Sequence, residues 1–91
     1  MKSHKVQHIK ELLSQGSVSE AERLVAEEIR NSPCDDEAYY WKGNIHHKRG
    51  EWKEALESYA EAEELGNLEA AEARRMLMDI IQFYDKERYN V

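Results

Sequence analysis

The sequence predicts an all-α protein built from helix hairpins that repeat. Three observations carry this. Gly16 and Gly50 lie 34 residues apart, and Gly16-Ser17-Val18-Ser19-Glu20-Ala21 aligns with Gly50-Glu51-Trp52-Lys53-Glu54-Ala55, a register that continues to pair Val25 with Tyr59. Apolar residues between the glycines recur at three- and four-residue intervals, the spacing of one helix face. One proline and four glycines in 91 residues leave little room for long loops. A 34-residue period is one helix–turn–helix unit, which cannot bury its apolar face alone and must stack on a neighbour.

Five helices follow in order. The first spans about Ser3 to Gln15, with Val6, Ile9, Leu12 and Leu13 on one face, and Gly16 ends it as a residue tolerant of left-handed backbone. The second runs from Ser17 to about Asn31 with Val18, Ala21, Leu24, Val25 and Ile29 as its apolar stripe. Ser17 and Glu20 have capping-box spacing, and Ser32-Pro33 stops the helix. The third starts after Asp35 or Asp36, either a competent N-cap, and ends at Arg49-Gly50. Tyr39, Gly43 and His46 form its inward stripe, while Ala38 and Ile45 face the preceding hairpin. Gly43 lowers helix propensity by up to about 1 kcal/mol, so a close helix contact is expected there.

The fourth helix, about Trp52 to Leu65, buries Trp52, Ala55, Leu56, Tyr59 and Ala62 and turns Glu54, Glu57, Glu61 and Glu64 to solvent. Gly66-Asn67 breaks the chain, with Asn67 as the next N-cap. The fifth helix runs to about Lys86, with Ala70, Ala73, Leu77, Ile80, Ile81 and Tyr84 on its packing face. Met76, Met78 and Phe83 widen its apolar arc beyond one contact face. They predict either burial against the fourth helix or contact with another chain.

Composition narrows the function. The net charge is −6, with 35% charged and 41% hydrophobic residues, and the pI is about 5.2. Such a chain is a poor partner for nucleic acid or an anionic membrane, since both require concentrated basic surface. The single cysteine, Cys34, precludes an internal disulfide and suits a reducing, cytoplasmic setting. Two aspartates beside it disfavour a reactive thiolate. Met1 reads as a natural start with no apolar signal segment behind it, and Val91 reads equally as a natural end or a boundary. The sequence lacks a phosphate loop, a nucleophile elbow and a Cys-x-x-Cys pair. The expectation is therefore a non-enzymatic protein without a cofactor. His4 and His8 share a helix face, but no third ligand completes a metal site. Glu27-Glu28 and Glu63-Glu64 read as solvated surface.

The unit from Asp36 to Asn67 resembles the tetratricopeptide repeat (TPR) family. That family carries an aromatic, then Leu-Gly, then an aromatic in its first helix; Ala, an aromatic and Ala follow in the second, and a proline closes the unit. Tyr39, Gly43, Ala55, Tyr59 and Ala62 match. Lys42 stands for the leucine, His46 for the second aromatic, as a core residue, and Asn67 for the proline. The first unit is degenerate, matching at Gly16, Ala21 and Pro33. The resemblance implies a TPR-like α–α superhelix with two hairpins (residues 1–33 and 34–67) and a C-terminal capping helix (68–91), working by protein–protein interaction.

In such arrays the first helix of each pair lines the concave face. Projecting the repeat register puts Gln7 and Lys10 there from the first helix. Tyr40, Trp41, Asn44, His47 and Lys48 come from the third, and Arg74, Arg75 and Met78 from the fifth. This resembles the carboxylate-clamp members of the family, with Asn44 and Arg75 at matching places but Val6 where a clamp lysine is expected. The partner implied is a protein or peptide segment with acidic or C-terminal carboxylate groups. Two other readings stand beside it. In one, Tyr40 and Trp41 pack into the hairpin while the arginines pair with glutamates. In the other, the chain forms a homodimer through the fifth helix.

Overall fold

A computed structural model describes residues 1–89 of the chain, and side chains as far as Tyr84. The helices are α1 (Ser3–Ser14), α2 (Val18–Asn31), α3 (Asp36–Lys48), α4 (Trp52–Glu64) and α5 (Leu68–Tyr89). They stack into an elongated body of 46 × 29 × 18 Å: two antiparallel hairpins followed by a longer helix against the second.

Three of the four connections share one geometry. Gly16, Gly50 and Gly66 have φ of 80°, 76° and 96°. The residue after each glycine donates its N–H back across the turn, Ser17 to Leu12 O at 2.8 Å, Glu51 to His46 O at 2.9 Å and Asn67 to Ala62 O at 3.0 Å. Each glycine N–H reaches a second carbonyl, of Leu13, His47 or Glu63. These paired bonds satisfy carbonyls that a helix end leaves open, and they require a left-handed residue at the glycine position. The α2–α3 connection instead runs through Ser32-Pro33-Cys34-Asp35, where proline forbids a continued helix.

Helix starts divide into capped and uncapped. Asp35 accepts from Ala38 N–H at 3.3 Å, and Asn67 accepts from Ala70 N–H at 2.7 Å. The Ser17–Glu20 capping box does not form: the Ser17 side chain makes no cap bond. A capping box also needs the Ser17 N–H for Glu20, and that donor is already spent on Leu12 O.

The interior falls into two clusters joined by α3. The first holds Ile9, Leu12, Ala21, Val25 and Ile45, with Trp41 packed at its edge. The second holds Ala55, Tyr59, Ala62, Ala70 and Leu77, with Tyr39, Tyr40 and Trp52 around it. Gly43 is buried beneath Tyr59, and a Cβ there would lie 2.4 Å from two atoms of the Tyr59 ring. The close approach expected at Gly43 is therefore made by a side chain. Tyr59 is only 1% exposed.

Several expectations are corrected. His46 is half-buried at the helix end, its Nδ1 2.8 Å from Glu51 Oε1, and does not fill a core aromatic's place. On α5, Ala70 and Leu77 are buried, Ala73 and Ile81 pack around them, and Tyr84, though largely exposed, meets the Trp52 ring of α4 at 5.6 Å, but Ile80 is exposed. Ala70, Ala73, Leu77 and Ile81 already form one stripe at 3.6-residue spacing, and Ile80 falls about 60° round from Leu77. Met76 and Phe83 do not fold back onto α4 either, being 59% and 60% exposed. Glu28 and Glu63 are half-buried and ion-paired, to Lys5 and Arg74, whereas Glu27 and Glu64 lie in solvent.

Candidate interaction surface

The residues singled out in the sequence form two groups. The first is centred on α3. The Lys10 ammonium sits 5.9 Å over the Trp41 ring, within the range of a cation–π attraction. Trp41 meets Tyr40 edge-on at 5.4 Å, and Tyr40 lies 6.1 Å from Tyr59. Tyr59 donates its hydroxyl proton to Asn44 Oδ1 at 2.6 Å. One chain of contacts thus runs from α1 across α3 to α4. Tyr40, Trp41 and Asn44 are half-buried, so part of each side chain reaches solvent. Gln7, His47 and Lys48 are exposed. Gln7 and Lys10 border an open hollow of ≈ 280 Å³ with Met1, Val6 and Glu37.

Tyr59 is the member that sequence reading missed. It matched the core stripe, and its ring is core. Its hydroxyl, however, reaches a residue chosen for the surface. A buried phenol needs a partner, and Asn44 directly follows Gly43, the residue under the ring. Burial, with the neighbouring Tyr40, pushes the Tyr59 phenol up to about 12. It remains a donor throughout the neutral range and holds the Asn44 carbonyl inward.

The second group is on α5. Arg74 donates from Nε to Glu63 Oε1 at 2.7 Å, and its Nη1 lies 3.6 Å from Met78 Sδ. Arg74 is thus engaged with α4. Arg75 is exposed. Among the described residues, no hydrogen bond, ion pair or ring contact joins this group to the first.

A further anchor sits where α1 meets α3. The Met1 amine lies 2.9 Å from Asp35 Oδ2 and 3.6 Å from Glu37 Oε1. Asp35 therefore both caps α3 and ties α1 to it. Partial burial lowers this amine's pKa, but Asp35 and Glu37 outweigh it and hold it above 8.0. On the other side of α1, His4, His8, Leu24 and Glu27 line part of a separate cavity of ≈ 280 Å³. Among the described residues, no group of three histidine, cysteine or acidic side chains is placed to hold a metal ion. No helix among them is long and apolar enough to cross a membrane.

Stacked antiparallel helix hairpins with aromatic and basic groups on the first helices define a helical-repeat protein. Residues 6–70 match the tetratricopeptide repeat family. The chain is also similar to a Bacteroides fragilis protein whose solution structure was determined by NMR. The two are 41% identical over 99% of this chain and 91% of that one, with a TM-score of 0.82. No curated protein matches. The chain belongs to the tetratricopeptide repeat family.

Proposed function

We propose that this protein is a non-enzymatic binding module that holds a peptide or protein segment against the concave face formed by α1, α3 and α5. The observation that carries the reading is the Lys10–Trp41–Tyr40 stack. Half-exposed aromatics with a cation beside them are what binding centres are made of. Around the stack, Gln7, Asn44, His47 and Lys48 offer donors to carboxylates, through charge-assisted hydrogen bonds where the donor is cationic. In an acidic chain they make this the surface best suited to acidic or C-terminal groups. Tetratricopeptide repeats generally act by protein–protein interaction, which supports this reading. A reducing cytoplasm is the setting that suits the exposed Cys34.

The test is a titration of tryptophan fluorescence with short acidic peptides, with a free or an amidated C-terminus. Free-carboxylate peptides bind more tightly, and affinity falls as salt rises. Trp41→Ala weakens every complex, and Lys10→Glu with Lys48→Glu removes the acidic preference. Equal binding of acidic and basic peptides, or binding indifferent to Trp41→Ala, would refute the reading.

The second reading is self-association through α5, and it is favoured by the exposure of Met76 and Phe83. Sedimentation over a concentration series separates the two.

A further inference from the structure

A further opening lies between α2 and α3 and shares no residue with the Lys10–Trp41–Tyr40 stack. It is a cleft of ≈ 160 Å³ with an apolar lining from Val25, Ala26 and Ile29 of α2 and Ile45 of α3. Val25 and Ile45 are each 1% exposed and belong to the first core cluster, so the floor of the cleft is core. The spacing explains how the walls form. Val25, Ala26 and Ile29 fall at i, i+1 and i+4 on α2, and Lys42 and Ile45 at i and i+3 on α3, so each set occupies one side of its helix.

Two residues leave the space unfilled. Ala26 is too short to fill it, and Lys42 stands where the repeat signature has leucine. A leucine is apolar to its tip, whereas lysine lays down an apolar stem and carries its ammonium to water. Both residues are exposed at the mouth. Glu22 and His46 complete the rim, and both are engaged. Glu22 accepts from Arg49, so those two charges balance, and His46 Nδ1 lies 2.8 Å from Glu51 Oε1. Glu51 itself is not part of the lining. Lys5, Arg49 and Arg74 are ion-paired; among the described residues no acidic group pairs with Lys42.

We propose that this cleft is a binding site for a small monocarboxylate whose apolar body is a single ring. The ring lies on Val25, Ile29 and Ile45, and the carboxylate meets the Lys42 ammonium at the mouth. Size selects the body: an apolar cavity of about 150 Å³ holds one benzene, whereas pockets for larger ligands run to about 300–1,000 Å³. Charge selects the head. A cationic head would have to displace Arg49 from Glu22, while a carboxylate finds Lys42 open and gains a charge-assisted hydrogen bond. The lysine stem is flexible enough to follow the head group. The site is separate from the peptide-binding face and stands or falls independently of it.

The test is an NMR titration of the full chain, labelled at its valine and isoleucine methyls, with phenylacetate. The Val25, Ile29 and Ile45 methyls shift saturably, and those of Val6 and Ile80 stay in place. Phenylacetamide, the neutral analogue, binds at least fivefold more weakly, and 2-phenylethylamine more weakly than that. Lys42→Met keeps the stem without the charge, so it lowers phenylacetate affinity at least fivefold and leaves that of phenylacetamide unchanged. Ala26→Leu, at an exposed position, fills the cleft and abolishes binding of both. Circular dichroism melts establish that both variants fold. Shifts that rise without saturating, or equal binding of phenylacetate and 2-phenylethylamine, overturn the proposal. Undiminished binding to folded Ala26→Leu also overturns it. If phenylacetate instead moves Val6 and the Trp41 indole, the carboxylate is held by the peptide-binding face; the cleft proposal then fails while the binding-module reading stands.

Discussion

Gly43→Ala tests the packing of the second hairpin on a single methyl group. In isolation the change favours the helix by about 1 kcal/mol, because glycine has the larger backbone entropy to lose. Here the new Cβ would sit 2.4 Å from Cδ1 and Cε1 of Tyr59. That ring cannot swing aside freely, being 1% exposed and tied through its hydroxyl to Asn44. Overpacking a close-packed site costs about 1–3 kcal/mol. The constraint on Tyr59 places this case in the upper half, so a net loss of about 1–2 kcal/mol is expected after the propensity gain. In a chain of this size that lowers the melting temperature by roughly 5–15 °C. Urea melts followed by circular dichroism measure it. The decisive comparison is Gly43→Ala in a Tyr59→Leu background, where the ring is gone and the same substitution becomes neutral or stabilising by up to about 1 kcal/mol. A Gly43→Ala protein as stable as the parent, or a loss of equal size in both backgrounds, would refute the argument.

Gly50→Ala costs about 1–2 kcal/mol, because left-handed backbone penalises a Cβ; nothing lies within 4 Å of that Cβ, so Gly50→Asn recovers part of the loss in the same melt. Asn67→Ala removes the α5 cap, at a cost of about 1–2 kcal/mol, and also the bond to Asp36 Oδ2; hydrogen exchange should show faster opening of the first turn of α5. Asn67→Asp keeps the cap oxygen but opposes Asp36 with a second carboxylate, so it recovers only part of the loss. The Met1 amine titrates near 8.0 when unfolded and higher when paired with Asp35 and Glu37. Its contribution is complete below pH 8 and fades as pH climbs through the raised folded value, so urea midpoints fall on that side, and Asp35→Asn flattens the slope. Tyr59, about 12 when folded against 10.0 unfolded, adds a further decline above pH 10 that Tyr59→Phe abolishes.

The fold was legible because its punctuation is chemically narrow. Three glycines at the only described positions of positive φ mark the turns, and a proline marks the fourth. Asp35 and Asn67 are residue types whose side chains compete for backbone N–H groups and so settle at helix starts. Ser17 belongs to the same class and makes no cap bond. Its N–H serves the end of α1 and is not free for Glu20, which removes the capping box; Asn67, whose N–H serves α4 in the same way, caps through its side-chain oxygen. The core was legible wherever a helix is held between two neighbours, as α2 is between α1 and α3 and α4 between α3 and α5. It was least legible in α5, whose neighbours lie on one side only, so periodicity marked more apolar positions than the fold covers.

The site reading rests on one period, and the helix caps supply a second. The 34-residue spacing belongs to the glycines that close the two hairpins; it does not govern the connection from α4 to α5. That connection comes sooner, since Asn67 does for α5 what Asp35 does for α3 after only 32 residues. Two residues on a helix are about 200° of rotation, enough to exchange opposite faces. Projected by the glycine period, α5 offers Arg74, Arg75 and Met78 to the concave side. Aligned by its cap, Met76 and Ile80 take the places of Asn44 and Lys48, and Arg74 pairs with Glu63. In that alignment Arg75 stands where α3 has Gly43, so a bulky side chain occupies on α5 the position that on α3 is left open for the Tyr59 ring, while Met76, Ile80 and Phe83 stay exposed.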